Sequence, residues 1–416
     1  MSFAVQKKMI VHQTDVVTAF LNVELAEEIY IKQPEGYVEL GKEDIICKLK
    51  KSIYGLKQSP RCWNRAFREV MKSPNFQQSH ADPCIFIKRS EESDNLIVIA
   101  IHLDDLIIIA STEREMSQVK SGLSSYFKMT DLGSLHFCLG VNMEQTEEGV
   151  ILSQKQYIEK LLEPYGLQDA NPVSTPMDLN VKLVADDGYS KPVDRIRYKS
   201  MIGSLLYAAI ATRPDISHAV GALSKFSSAP TEVHLTAVKR VLRYLKGTIG
   251  LSLQYKHTLN SEIVGFSDAD WANDIDSRHS TTGNVFMWSG GAICWLSQKQ
   301  STVALSTAES EYIALSSAAQ EAVWLRRLLV DLGEDCTQPL TIMEDNQGAI
   351  AMTNNPVQHR RTKHIDIRYH FVREHVLNGT VQIKYCCTKN MLADLFTKPL
   401  TRGQFEYLRD SIGLTV

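Results

Sequence analysis

The chain has 416 residues, of which 44% are hydrophobic and 22% are charged, which is enough core-forming material for two or three folded domains. Its formal net charge of -3 excludes a uniformly basic nucleic-acid-binding protein. Its eight cysteines form no Cys-x-x-Cys pair, which argues against a zinc cluster or a disulfide framework. The first residues lack the apolar segment of a secretory signal, so we expect a soluble, intracellular globular protein.

The first part of the chain mixes predicted strands and helices. Hydrophobic periodicity predicts strands over residues 9–15, 96–102, 106–110 and 137–143, and amphipathic helices over residues 60–71, 113–127 and 154–165. This mixture predicts an α+β domain.

Two adjacent carboxylates, Asp104 and Asp105, interrupt the apolar stretch NLIVIAIHLDDLIIIAST at residues 95–112. Each apolar flank is too short to span a membrane, and its length and β-branched residues predict a strand. The stretch therefore predicts a β-hairpin with the two acids at its tip. A structural turn would explain the acids equally well, because Asp readily bonds its own backbone.

Three further regions follow. Residues 170–195 contain three prolines without a regular period and predict a linker, and residues 195–247 have the 3.6-residue period of helices. From residue 262, three predicted strands precede a long helix that Ser306 and Glu309 would cap and that Gly333 would end. Alternating strands and helices then complete a predicted α/β domain of about 140 residues.

Basic residues are concentrated in a few segments. Eight Lys or Arg residues and one acid, Glu69, lie between Lys48 and Lys72, and further basic segments cover residues 239–246 and 359–374. Such segments in a near-neutral chain suit a phosphate-binding channel, and a solvated helix face is the alternative for each segment.

Acidic residues lie at the ends of predicted strands in the first half. Asp15 ends its strand, and Asp104 and Asp105 lie at the hairpin tip, so all three could meet. Clustered carboxylates repel one another unless a hard cation such as Mg²⁺ neutralises them. A pair of such ions can stabilise the attacking and leaving oxygens of a phosphoryl transfer.

Nine segments, in order along nearly the whole chain, resemble copia-type LTR retrotransposon Pol proteins. Three are similar to the reverse transcriptase: TDVVTAFLNVELAEEIYIKQPEGY, IYGLKQSPRCWN and LDDLIIIA. Six are similar to the connection and ribonuclease H: TRPDISHAVGALSKF, SDADWA, STAESEYIAL, EDNQGAI, KHIDIRYHFVRE and LADLFTK.

The resemblance implies roles in a polymerase site. It implies that Asp15, Asp104 and Asp105 are catalytic and hold metal. Phe20 matches an aromatic residue that excludes ribonucleotides, although an ordinary core Phe is the alternative. The implied nucleotide- and template-binding residues are Phe20, Tyr54, Gly55, Ser59, Pro60 and Arg61. The implied primer-positioning residues are His102, which replaces the family's aromatic residue, Leu139 and Gly140.

The resemblance also implies a ribonuclease H site. Its catalytic and metal-binding residues would be Asp268, Glu311, Asp345 and Asp394, with Asp394 at the start of the final helix. Glu311 is preferred to Glu309 because Glu309 has the position to cap its own helix. Asp270 is the alternative to Asp268, because residues two apart in a strand point to the same side. The roles of His364 and His370 stay open.

The implied architecture is a right-hand polymerase palm of α+β class with a helical thumb or connection, followed by a ribonuclease H-like α/β domain. We expect the following domains: residues 1–170, reverse transcriptase palm and partial fingers; residues 171–258, linker and helical connection; residues 259–402, ribonuclease H-like domain; and residues 403–416, a C-terminal tail. Because only 14 residues precede Asp15, we also expect truncated fingers and weak DNA synthesis.

The implied function is RNA-directed DNA polymerase and ribonuclease H, with two Mg²⁺ ions per active site and Mn²⁺ as a possible substitute. The implied partners are an RNA template, a DNA primer, RNA:DNA hybrid, deoxynucleoside triphosphates and other parts of a Pol polyprotein, with no membrane. The expected location is cytoplasmic, in a virus-like particle, or nuclear, and not secreted. The alternative is a degenerate or co-opted fragment that binds nucleic acid with little polymerase activity.

Overall fold

The structure is a computed structural model that describes residues 1–89, 95–258, 262–354 and 366–416. The chain forms two compact units. The smaller unit comprises Lys8–Leu135 and Arg327–Glu334, and the larger unit comprises Met1–Lys7, His136–Arg326 and Asp335–Val416. The expected functional limits at residues 170 and 258 stay predictions. Each helix in the described residues is too short or too polar to cross a membrane.

The described helices and strands are numbered in chain order. The α-helices are α1 (Ser2–Gln6), α2 (Ser59–Lys72), α3 (Glu113–Ser124), α4 (Lys155–Leu162), α5 (Arg195–Ala211), α6 (Ser217–Ser224), α7 (Glu232–Gly247), α8 (Thr307–Leu332), α9 (Gln347–Asn354), α10 (Asp366–Leu377) and α11 (Arg402–Ser411). The strands are β1 (Ile10–Val16), β2 (Tyr30–Lys32), β3 (Ile46–Lys48), β4 (Gln77–Gln78), β5 (Ile85–Arg89), β6 (Leu96–His102), β7 (Asp105–Ala110), β8 (Met129–Ser134), β9 (Phe137–Cys138), β10 (Val141–Gln145), β11 (Gly149–Ser153), β12 (Ser252–Lys256), β13 (Val264–Ala269), β14 (Thr281–Trp288), β15 (Gly291–Lys299), β16 (Leu340–Glu344), β17 (Val381–Tyr385) and β18 (Leu414–Thr415).

The smaller unit is built on a six-stranded antiparallel sheet in the order β4-β5-β6-β7-β1-β8. The predicted hairpin is confirmed as β6 and β7, in which His102 pairs with Asp105. Trp63, Phe67 and Met71 are buried in the core of this unit because their spacing of four residues places them on one face of α2.

The larger unit contains two five-stranded sheets. One has the order β18-β12-β11-β10-β9, and its core is shared with α5, α6 and α7, as the helical period predicted. The other has the order β15-β14-β13-β16-β17, with antiparallel pairing in its first three strands and parallel pairing of β13, β16 and β17. The predicted succession of three strands, a long helix and alternating strands and helices is therefore confirmed.

Two details of the larger unit differ from the expectations. The strand predicted over residues 137–143 is divided into β9 and β10 by a turn at Leu139 and Gly140, whose φ angles are 48° and 75°. A side chain on Gly140 would clash with the hydroxyl of Tyr207, so the turn requires glycine there. Residues 403–416, expected as a tail, form most of α11 and the short strand β18, which pairs with β12.

Candidate functional site

Three acidic side chains converge in the larger unit. Asp268 lies near the end of β13, Glu311 lies in the second turn of α8, and Asp345 directly follows β16. One carboxylate oxygen of each lies within 4.8 Å of the corresponding oxygens of the other two. Among the residues that the structure describes, this is the only such group of three. Oxygen atoms at this spacing suit a hard divalent cation.

Hydrogen bonds hold each of these carboxylates in place. Glu311 Oε2 accepts the N–H of Ala269 at 2.6 Å, and Asp345 Oδ2 accepts the hydroxyl of Thr388 at 2.8 Å. Asp268, which is only 2% exposed, accepts the hydroxyl of Thr397. The side chains are therefore oriented by the fold itself, as a preorganised site requires.

Burial and mutual repulsion make this cluster unfavourable for negative charge. Burial raises the pKa of Glu311 well above its usual range, and the charges of Asp268, Glu344 and Asp345 raise it further. Carboxylates this close cannot all be ionised without an added positive charge. The arrangement therefore fits a divalent cation.

Asp394 lies beside the cluster, but the prediction that it begins the final helix is wrong. It lies in a 3-10 helix, Leu392–Phe396, whereas the final helix α11 begins at Arg402. Lys398 Nζ lies 2.7 Å from Asp394 Oδ1 and 3.5 Å from Asp268 Oδ2. Burial, and then the charge of Asp268, raise the pKa of Asp394, while Lys398 opposes this effect.

A glycine allows the segment that carries Asp394 to approach the sheet. A Cβ atom at Gly283 in β14 would lie 2.6 Å from Thr397 Cγ2 and 2.9 Å from the carbonyl oxygen of Ala393. Both distances are too short for a side chain. Gly283 pairs with Asp268 in the sheet, so this close approach places Asp394 and Lys398 next to Asp268.

The two alternatives considered for this site have other contacts. The hydroxyl of Ser306 accepts the N–H of Glu309 at 3.3 Å, as the predicted capping box requires. Glu309 Oε2 accepts the N–H of Leu305 at 3.0 Å, whereas a capping box would join it to the N–H of Ser306. The Asp270 carboxylate accepts the N–H of Thr281, and burial raises the pKa of Asp270 to about 6. Neither residue belongs to the converging group.

Three polar neighbours of the cluster were missed by the sequence reasoning. Thr397 and Lys398 end the segment LADLFTK, in which the family resemblance implies a role only for Asp394. Glu344 directly precedes Asp345 and is fully buried. The signal for Glu344 was an acidic residue at the end of an otherwise apolar buried strand.

The second acidic cluster lies in the smaller unit. Asp15 pairs directly with Asp105 across β1 and β7, and the carbonyl oxygen of Asp104 accepts the N–H of Val16 at 2.8 Å. Burial raises the pKa of Asp15, and the charges of Asp104 and Asp105 raise it further. The structure therefore brings all three predicted acids to one end of the sheet.

Two of these acids are hydrogen-bonded to neighbouring side chains. Tyr54 donates its hydroxyl to Asp104 Oδ2, and Gln13 donates its amide to Asp105 Oδ1 at 2.8 Å. Burial and the bond to Asp104 raise the pKa of Tyr54 to about 12. The centroid of the Tyr54 ring lies 4.7 Å from the centroid of the Phe20 ring, and Phe20 is buried. Side-chain donors therefore orient carboxylates in both clusters.

The start of α2 approaches the same hairpin. Trp63 donates its indole N–H to the carbonyl oxygen of Leu103 at 2.8 Å, and Ser59 donates to the carbonyl oxygen of Ile53 at 2.6 Å. Pro60 occupies the first turn of α2, and Arg61 is exposed. These contacts fix the helix next to the acidic hairpin tip.

The other predicted site residues are distributed over both units. Gly55 has a φ angle of 93° in the loop before α2, and His102 is exposed at the end of β6. Leu139 and Gly140 lie in the larger unit, where the carbonyl oxygen of Leu139 accepts the hydroxyl of Tyr207. His364 lies outside the described residues, and His370 is exposed on α10.

Comparison with known proteins identifies the family. The reverse transcriptase (RNA-dependent DNA polymerase) family matches residues 1–179. The Pol polyprotein of transposon TNT 1-94 from Nicotiana tabacum is 41% identical over 100% of this chain and 32% of its own length. The Pol polyprotein of transposon RE1 from Arabidopsis thaliana is 38% identical over 99% of this chain and 28% of its own length. A putative transposon Ty5-1 protein from Saccharomyces cerevisiae is 33% identical over 74% of this chain and 99% of its own length.

The chain therefore belongs to the copia-type retrotransposon Pol family, as its nine segments predicted. It spans about a third of the length of the plant polyproteins that it matches. Among solved structures, the N-terminal RNase H domain of a Mycobacterium tuberculosis protein matches 36% of this chain and 99% of its own, at 12% identity. Its TM-score of 0.24 is too low to support an argument about the fold.

Proposed function

We propose that residues 259–402, most of which lie in the larger unit, form a ribonuclease H that cuts the RNA strand of RNA:DNA hybrids. The observation that supports this most directly is the convergence of carboxylate oxygens from Asp268, Glu311 and Asp345 within 4.8 Å. Bound Mg²⁺ would supply stabilisation of the attacking and leaving oxygens in phosphoryl transfer, and Mn²⁺ is the expected substitute. Asp268, Glu311 and Asp345 would hold one ion. Asp394 would be an additional ligand that helps to hold a second ion.

The direct test uses the whole chain and a labelled RNA strand annealed to DNA. Cutting should require Mg²⁺ or Mn²⁺ and should stop when EDTA is added. The same RNA as a single strand or in an RNA:RNA duplex, and a DNA:DNA duplex, are the controls for substrate class. If the hybrid stays intact with both cations, this proposal is wrong.

We further propose that the smaller unit is the palm of an RNA-directed DNA polymerase. Asp15, Asp104 and Asp105 would hold Mg²⁺ there, and the start of α2 would contact the template and the incoming deoxynucleoside triphosphate. The register that pairs Asp15 with Asp105 supports this assignment. The partners would be an RNA template, a DNA primer and other segments of a Pol polyprotein, inside the cell.

The bond between Tyr54 and Asp104 should compete with cation binding at the palm. Tyr54→Phe removes the hydroxyl and leaves the ring against Phe20. Because a hydrogen bond to a charged group contributes roughly 1.5 kcal/mol, Mn²⁺ affinity at this cluster should rise about tenfold. The measurement is Mn²⁺ titration followed by electron paramagnetic resonance, in a chain that carries Asp345→Asn to remove binding in the larger unit.

The matched control adds Asp104→Asn to the chain that carries Tyr54→Phe and Asp345→Asn. This addition should remove the gain in Mn²⁺ affinity. Unchanged Mn²⁺ binding in the Tyr54→Phe variant would mean that the hydroxyl does not compete for Asp104.

The exposed face of α2 should bind nucleic-acid phosphates. Arg61, Arg65 and Arg68 lie on the face opposite the buried residues of this helix. Replacing all three by Ala should make hybrid affinity less dependent on salt. In a plot of log affinity against log salt concentration, the slope should become shallower by roughly 0.9 for each phosphate that the protein no longer neutralises. Fluorescence anisotropy between low and moderate salt measures this slope.

A control variant removes the same charge elsewhere, from the exposed α5 residues Arg195, Arg197 and Lys199. Its slope should change less than that of the α2 variant. Equal slopes for the α2 variant and the unmodified chain would show that this face is only solvated.

A second candidate function is nucleic-acid binding without polymerase chemistry. The observation that favours it is that Asp104 and Asp105 are engaged by Tyr54 and Gln13. Under this alternative, the chain binds hybrid but does not extend a primer on an RNA template. Primer extension that depends on Asp104 would exclude it.

A further inference from the structure

A fourth acidic side chain, Glu344, lies next to the converging group in the larger unit. It is the last residue of β16 and directly precedes Asp345. Its exposed fraction is 0%, which is rare for glutamate unless the carboxylate is paired. The buried state of this side chain therefore needs a physical explanation.

The contacts of Glu344 place its carboxylate at the Asp345 end of the strand. Oε1 accepts the N–H of Asn346, the residue after Asp345, at 3.1 Å. The carbonyl oxygen of Glu344 accepts the N–H of Cys386 at 2.9 Å, so the backbone is also fixed. Oε2 is buried and has no hydrogen-bond partner in the protein.

The sheet register places the backbone of Glu344 beside the residue that precedes Asp268. The parallel pairing of β13 with β16 joins Gly265 to Ile342 and Phe266 to Met343. Continued by one residue, this register sets Glu344 beside Ser267, which precedes Asp268 and whose hydroxyl is also buried without a partner. Because side chains at paired positions project to the same face of a sheet, the side chains of Glu344 and Ser267 share one face.

The charges of the cluster act on Glu344. Burial raises the pKa of Glu344, and the charges of Asp268 and Asp345 raise it further. In turn, Glu344 contributes to the raised pKa of Glu311. A buried carboxylate oxygen without a partner is costly, and a cation near it would offset that cost.

We infer that Glu344 is an additional oxygen donor for the cation held by Asp268, Glu311 and Asp345, either directly or through a cation-bound water. This inference rests on the proposed function, because it assumes that those three residues bind a divalent cation. Mg²⁺ commonly retains several waters in proteins, so both modes are compatible with its chemistry. The competing explanation is a purely structural role, in which Glu344 only holds the N–H of Asn346.

The test measures cation binding without nucleic acid by the whole chain carrying Asp104→Asn, which removes binding at the acidic cluster of the smaller unit. Glu344→Gln keeps an oxygen for the N–H of Asn346 and removes only the charge. We expect Mn²⁺ affinity, from electron paramagnetic resonance titration, to fall at least about tenfold, the lower end of the range for residues that support metal ligands. Thermal unfolding in EDTA should be nearly unchanged. Glu262→Gln, at an exposed position, is the matched control and should bind Mn²⁺ like the unmodified chain.

Asp345→Asn separates failure of the inference from failure of the proposed function. If Asp345→Asn removes Mn²⁺ binding and Glu344→Gln does not weaken it, the cation site stands and the role of Glu344 is refuted. If Asp345→Asn binds Mn²⁺ normally, the proposed site itself is wrong.

If Glu344→Gln does not fold, anomalous diffraction from Mn²⁺-soaked crystals of the unmodified chain decides the question. A Glu344 oxygen bonded to the ion or to an ion-bound water supports the inference. An ion without either contact overturns it.

Discussion

Asp345→Asn should abolish cutting of RNA in an RNA:DNA hybrid and leave hybrid binding nearly unchanged. The substitution keeps an oxygen for the hydroxyl of Thr388 but removes a negative charge from the group of three converging carboxylates. Loss of residues that merely support metal ligands costs 10- to 100-fold in activity, so loss of a ligand charge should exceed about a hundredfold. Hybrid affinity depends mainly on basic residues that contact phosphates, which this change leaves in place.

The measurement compares the single-turnover rate of cutting with the affinity from fluorescence anisotropy in Ca²⁺. Asp335→Asn is the matched control, since this exposed residue lies in the loop before β16. The control should cut at the rate of the unmodified chain. Loss of both cutting and binding in Asp345→Asn would indicate that Asp345 is needed for the fold instead.

The second large effect concerns Glu309 and Glu311, in the first two turns of α8, which should differ in their importance for cutting the hybrid. Glu311→Gln should lose nearly all cutting, by more than about a hundredfold, because Glu311 supplies one of the three converging oxygens. Glu309→Gln should keep most of the activity, because the amide oxygen can still accept the N–H of Leu305. A lost cap of this kind costs about 1 kcal/mol of stability at most sites and does not change the charge of the cluster.

Both variants are assayed on the same hybrid, with thermal unfolding measured in parallel. The two residues are two positions apart and both are buried, so each serves as the control for the other. The opposite result, inactive Glu309→Gln and active Glu311→Gln, would reverse the assignment.

Local sequence patterns predicted the elements that carry the sites. The short apolar runs rich in Ile and Val on either side of Asp104 and Asp105 predicted β6 and β7, and the spacing of Ser306, Glu309 and Gly333 predicted the limits of α8. These signals are local, since they depend on residues a few positions apart. The grouping of Asp268, Glu311, Asp345 and Asp394 came from family resemblance, because no periodicity relates strands and helices so distant in sequence.

The contacts that modify the sites could not be predicted in this way. Thr397 donates to Asp268 across a separation of 129 residues, and Tyr54 donates to Asp104 across 50. Such pairs depend on how the strands and helices pack, and each polar residue has several possible partners in sequence. The apolar residues around Leu139 and Gly140 continue the strand pattern and predict one strand, whereas the family resemblance implies a turn at these two residues, which the structure has.

The close approach at Gly283 allows distance and charge to be varied separately at the candidate ribonuclease site. Replacing a carboxylate by its amide changes the number of negative charges in the cluster. A methyl group at position 283 would instead press on Thr397 and the carbonyl oxygen of Ala393, and every acid would be retained. Because both contacts would be shorter than 3.0 Å, the segment that carries Asp394 and Lys398 would have to shift. A strand residue with no ionisable group can thus control how far one carboxylate stands from the others.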